Sequence, residues 1–203
     1  MDPLQTLLSI CLGVGLAAAC GFRVFVPLLL GSIALQQGWI PASQLAPGFD
    51  WVATPYATVA FGIATALEIG GYYIPWLDNL LDSIATPAAV IAGTLVTASF
   101  LGDLGPLMQW GVGALAGGGA AAATQVLTVT TRAASTATTG GVGNPVVSTA
   151  EAGSSLLLTT LAIAAPVLAA LAVVAGLVYI IRRLFHHRAR RHDSATPPAA
   201  PAT

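Results

Sequence analysis

Of the 203 residues, 56% are hydrophobic and only 7% charged, with a formal net charge of −1, whereas a soluble domain carries about 25% charged residues. That composition excludes a water-soluble globular domain and indicates an all-α integral membrane protein. The near-zero net charge hides a polarised chain: there is no lysine, residues 1–181 hold only Arg23 and Arg132 against seven acids, and the other five arginines fall in the last 22 residues.

The opening "MDPLQTLLSICLGVGLAAAC" has Asp2 and no cation before its apolar run. A signal peptide needs a positive leading segment, so this stretch is expected to stay as the first membrane helix. Cys11 and Cys20 are nine residues apart, which on a helix puts them on opposite sides, so two inert thiols are expected and no disulfide or metal site. Residues 4–35 are continuously apolar. As one helix they would extend ~48 Å, too long for the ~20 residues of one span and short for two. Gly13, Gly15, Gly21 and Pro27 punctuate the run, and a break is expected near Cys20–Gly21, giving two shorter helices or a re-entrant pair.

Residues 51–74 form a span that ends before Pro75. The mixed stretch "YIPWLDNLLDSI" and an apolar piece from Thr86 to Leu101 follow, and a further span is expected over 106–131. "TTRAASTATTGGVGNP" reads as a polar connector. From Pro145 to Arg182 only Glu151 is charged before the final arginine; one helix of that length would reach ~57 Å, so a break is expected at Gly153 or Pro166. Trp39, Trp51, Trp76 and Trp110 fall at segment edges, as in an interfacial aromatic belt. The expected architecture is a compact bundle of about five to seven hydrophobic helical segments with broken helices near both ends.

The two interrupted runs, "GVGLAAACGFRVFVPLLLGSIAL" and "GVGNPVVSTAEAGSSLLLTTLAI", both open on Gly-Val-Gly and carry one charge shortly afterwards. This suggests an inverted repeat of the kind that frames transporter sites, although Gly-Val-Gly carries little information in so glycine-rich a chain. The membrane domain is assigned to residues 1–183. "RRLFHHRARRH" beside a span end favours the cytoplasmic side, and "DSATPPAAPAT" has the composition of a disordered tail, so 184–203 reads as a basic and then Pro/Ala-rich cytoplasmic tail.

Six residues stand out as candidates for an ion or substrate site: Arg23, Glu68, Asp78, Asp82, Asn144 and Glu151. A permanent cation at membrane depth must face the protein interior and find a carboxylate. Glu151 is the expected partner of Arg23, with Glu68 in the same polar cluster. Asp78 and Asp82 share a helix face, where two carboxylates repel unless a proton, a cation or an arginine lies between them. They fit either an interfacial amphipathic helix or the mouth of a water-filled vestibule. Asn144 is placed to cap a helix opened by Pro145, whose free N–H groups could meet an anion. Gly113 and Gly117 have the small-xxx-small spacing of close helix packing.

"AAACGFRVFVPLLLG", "LEIGGYYIPWLDNLLDSI" and "GGVGNPVVSTAE" together resemble domain of unknown function family 4126, small multi-pass membrane proteins mainly from bacteria. The resemblance covers residues 5 to about 180. It implies a bacterial cytoplasmic-membrane location and places Arg23, Pro27, Glu68, Pro75, Asp78, Asp82, Asn144, Pro145 and Glu151 within recognisable motifs, but implies no activity.

Two function classes follow. One is a small transporter or channel for an ion or small solute with an intramembrane charged site; the other is a non-catalytic scaffold or accessory subunit whose buried charges only fix helix packing. No enzyme is expected, because the chain has no nucleophile paired with a base and no histidine outside the tail. No catalytic residue, metal ligand or cofactor is therefore assigned. The expected partners are the lipid bilayer and an ion or solute, with a homo-oligomer or membrane-complex partner left open and nucleic acid unsupported.

Overall fold

In the computed structural model, which describes residues 2–193, the chain is helical throughout and contains no strand among the described residues. Seven helices follow in order: α1 Pro3–Cys20, α2 Phe25–Gln36, α3 Pro55–Gly71, α4 Pro75–Ser99, α5 Pro106–Thr139, α6 Asn144–Ala164 and α7 Pro166–Asp193. Two short 3₁₀ turns, Ala42–Gln44 and Asp50–Ala53, lie between α2 and α3. α1, residues Leu80–Ser99 of α4, α5 and α6 are each long and apolar enough to cross a membrane, and Phe25–Gln36 and Pro166–Tyr179 are shorter apolar helices. Apolar side chains such as Val59, Ile63, Leu115, Leu157 and Leu168 point outward. That arrangement suits a lipid surround.

Proline opens almost every helix. Pro3, Pro55, Pro75, Pro106, Pro145 and Pro166 each sit in the first helical positions, where the missing N–H has no intrahelical role and the fixed φ suits the turn. α2 is the exception. It starts at Phe25 after the four-residue break Gly21–Val24, and no side chain of its own caps it.

The expected break after Cys20 is present, and the second long run breaks at Ala165, before Pro166. Gly153, the other candidate, lies inside an uninterrupted α6. Three expectations are corrected. "LDNLLDSI" and the apolar piece after it are one helix, α4, which carries Pro87 internally. The 51–74 span shortens to α3, because Asp50–Ala53 is 3₁₀. Much of the "TTRAASTATT" connector is helix, so α5 runs on to Thr139. Its threonines remain compatible with helix because their hydroxyls donate back one turn, Thr130 to the Val126 carbonyl and Thr131 to that of Leu127. The turn Gly140–Gly143 then uses positive φ at Gly140 (64°) and Gly141 (91°), where glycine costs least.

The two Gly-Val-Gly triplets are therefore not equivalent in structure. Gly13–Gly15 lies inside α1, whereas Gly141–Gly143 forms a turn. The tail from residue 194 onward lies outside the described residues.

Helices α1, α4 and α5 meet through small residues. A Cβ on Gly13 would come within 2.9 Å of the Thr97 backbone, and one on Gly93 within 2.7 Å of the Ala121 methyl. Gly113 and Gly117 face Thr94, Thr97 and Ala98 of α4, as their spacing predicted. At that contact α5 widens into a π-helical turn over Gly113–Gly118. Such a turn is tolerated where glycines let the neighbouring backbone approach. Cys20 is buried, and both cysteines are free.

Candidate functional site

The charged side chains come together at one end of the bundle. Arg23 lies in the α1–α2 break; Glu68 is three residues before the end of α3, and Asp78 and Asp82 occupy the first two turns of α4. Arg132 is seven residues before the end of α5, and Glu151 seven residues after the start of α6. At 1.5 Å rise, seven residues place the last two about 10 Å in from their helix ends.

Arg23 is 1% exposed and meets Glu151 through Nη2–Oε2 at 3.1 Å, the expected partner. The same Nη2 donates to the Ser148 carbonyl at 3.1 Å and to the Ser148 hydroxyl. Nε and Nη1 of Arg23 are buried and have no hydrogen-bond partner among the described residues.

Glu151 is shared. Arg132 donates to it from Nε, at 3.0 Å to Oε1 and 3.2 Å to Oε2, and also from Nη2. Arg132 further pairs with Asp78 through Nη1 and lies 3.8 Å from Asp82. A guanidinium presents five donors in a planar fork, which is why one arginine can tie acids from α4 and α6 to α5. Asp78 in turn accepts from Asn144 Nδ2 at 3.0 Å. Asn144 is therefore not the expected cap; Gly143 holds that position, no side chain caps α6, and the Asn144 amide is directed across to α4. Nor does Glu151 lie beside a helix break, since α6 is continuous around it.

Glu68 belongs to the same end but has a different role from a partner for Arg23. Its Oε1 accepts from the Val24 N–H at 2.8 Å and its Oε2 from the Phe25 N–H at 3.0 Å. These are the first free donors of α2, the helix without an opening proline. A carboxylate supplied from α3 thus caps α2 and meets the positive end of its dipole.

Tyr72, just after α3, lies between the two arginines. The Arg23 guanidinium carbon is 3.8 Å from its ring centroid and that of Arg132 is 4.1 Å away. The negative ring face can hold cations that would otherwise repel each other across a small gap. One residue on, the Tyr73 hydroxyl shares a 2.8 Å hydrogen bond with Thr149.

Asp78 and Asp82 are thus not on a detached interfacial helix. They lie at the start of α4, next to its Leu80–Ser99 stretch, with Asp78 buried and the Asp82 side chain 26% exposed. The structure brings all six sequence candidates to one end and adds Arg132, Tyr72 and Ser148. Arg132 carried a signal in the sequence: it is the only cation besides Arg23 before residue 182. Tyr72 and Ser148 carried none beyond their motifs. No group of three or more metal-ligating side chains is found among the described residues. A surface groove along α2 and a second cavity lined by Leu30, Ile33 and Trp39 include no charged residue among the described residues.

Residues 10–186 match the family described as Domain of unknown function (DUF4126). The chain belongs to this family. No curated protein and no solved structure matches the chain. The match spans all seven helices in part or whole and contains the entire charge cluster.

Proposed function

We propose that this membrane protein is a small transporter or channel for an ion or small solute, and that the charge cluster is where a proton or small cation is taken up. The observation that carries this reading is an imbalance: four carboxylates, Glu68, Asp78, Asp82 and Glu151, surround two guanidiniums, Arg23 and Arg132. Buried like charges are costly unless a counter-charge or proton answers them. The α2 N-terminus answers Glu68. The arginines answer Asp78 and Glu151, which leaves Asp82, the most exposed of the four, as the acid with the weakest contact. Asp82 is the natural entry point, and Arg23 keeps two buried N–H donor groups without a partner among the described residues.

A scaffold is the second reading, favoured by the same tight pairing of Arg23, Arg132, Asp78 and Glu151. Reconstitution separates the two readings. Purified protein in liposomes should dissipate an imposed gradient of protons or of a monovalent cation, and Asp82→Asn should slow that flux while the protein stays folded. If wild-type vesicles hold every such gradient as well as empty vesicles do, the scaffold reading stands.

The tail arginines favour a cytoplasmic carboxyl terminus in a bacterial cytoplasmic membrane. A cysteine probe at residue 195 should react only after the membrane is breached; labelling from outside intact cells would reverse the orientation.

A further inference from the structure

The doublets Arg182–Arg183, His186–His187 and Arg190–Arg191 recur every four residues, close to the period of a helical turn. α7 is helical through Asp193, so its register places all six residues within about half of its circumference at 3.6 residues per turn. Leu184, Phe185 and Ala189 fall on the other half, together with Arg188 and His192. Between Glu151 and Asp193 the sequence holds no acid. The cationic face therefore meets no carboxylate on its own helix before the last residue, and the same face of a second copy would bring only more positive charge against it.

The position of this face along the helix selects its partner. Pro166–Tyr179 is an apolar helix, and apolar sequence continues to Ile181, about 24 Å along the axis at 1.5 Å rise. Ala169 packs against α1 at Gly15, but from Ala170 to Tyr179 no residue is buried, and Leu171, Val174 and Tyr179 are exposed. In a bilayer such a surface faces acyl chains. Tyr179 closes the apolar stretch, where an aromatic side chain marks the headgroup level, and Arg183 follows one turn later. The face thus begins where lipid phosphates begin, and Arg191 lies about 18 Å beyond Tyr179. Anionic headgroups are the counter-charge that the membrane itself holds at that level, and guanidinium suits phosphate.

We propose that the last three turns of α7 are a docking face for anionic phospholipid headgroups, with Arg183, Arg190 and Arg191 as its principal cations. This is independent of the transport reading, since the face shares no residue with the charge cluster. An arginine near an anionic surface contributes about 1 kcal/mol, a factor of about five in affinity.

The test titrates full-length protein in neutral detergent micelles with phosphatidylglycerol or phosphatidylcholine and counts bound lipid by native mass spectrometry. Wild type should bind phosphatidylglycerol at least about fivefold more tightly. Raising the salt from about 0.1 M to about 1 M, which shortens the screening length from about 10 Å to about 3 Å, should weaken that preference. Changing Arg183, Arg190 and Arg191 together to Gln should bring the two affinities level, with phosphatidylcholine binding and melting temperature unchanged. The corresponding lysine variant, which keeps the charge, should retain the preference. Equal affinity for the two lipids in wild type, a preference that survives the glutamine variant, an equal loss in the lysine variant, or tight uptake of a single-stranded oligonucleotide in place of any lipid preference would overturn the proposal.

Discussion

The two halves of the bundle are held together by different forces. At one end, six charges and a tyrosine join the ends of α1, α3 and α5 to the starts of α2, α4 and α6. Toward the middle, α1, α4 and α5 touch through Gly13, Gly93, Gly113 and Gly117, with backbone nearly against backbone. In lipid there is no hydrophobic drive to pull helices together, so association depends on close van der Waals packing or on polar groups that hydrocarbon cannot satisfy. This chain uses one device in each region. The ionic one is concentrated at the end where the α1–α2 break supplies backbone donors.

Substitutions in the two regions should therefore fail by different mechanisms. The largest effect is expected at Arg132: Arg132→Met leaves Asp78 and Glu151 without their main counter-charge and should destabilise by about 3–5 kcal/mol, read as loss of thermal stability of the solubilised protein. In the glycine seam, Gly93→Leu forces side-chain atoms against Ala121 and the Gly117 carbonyl; an overpacking loss of about 1–3 kcal/mol is expected, and it should not respond to salt. An unchanged melting temperature would mean that the seam is looser than the contacts indicate. Glu68→Gln keeps the shape of the α2 cap but removes its charge, and should cost about 0.5–2 kcal/mol, with faster hydrogen exchange at Val24 and Phe25 but not at the glycine seam. The smallest effect is a gain: Gly153→Ala, in the interior of α6 with nothing within 4 Å of the new methyl, should stabilise by about 0.5–1 kcal/mol. A loss there would show that this face packs against something in the membrane.

Much of the fold was legible because a membrane imposes a ruler. The 4–35 run was too long for one span, and its break came where glycine interrupted it; the 145–182 run broke at its proline. The pairing of Arg23 with Glu151 was legible because so few charges exist that each must be answered by another. The misreadings have local causes. Threonine and serine lower hydropathy, so 130–139 looked like part of a connector, but their hydroxyls bond back to the helix and Arg132 anchors it to two neighbours. Asn144 looked like a cap because it precedes Pro145; its amide is drawn instead to Asp78, a partner 66 residues away that no local pattern predicts. The mixed stretch ending at Ile84 and the apolar piece from Thr86 read as two segments, yet α4 continues through both, one part of that helix being fixed by the glycine seam and the other by Asp78.

The central claim is that the charges act as one coupled unit with Glu151 at its hub. A double-mutant cycle on Arg132→Met and Glu151→Met, followed by the unfolding free energy of the purified protein, tests it most directly. The account predicts that the second substitution recovers part of the loss caused by the first, with a coupling of about 0.5–3 kcal/mol. Losses that simply add, with no coupling between the two positions, would contradict it.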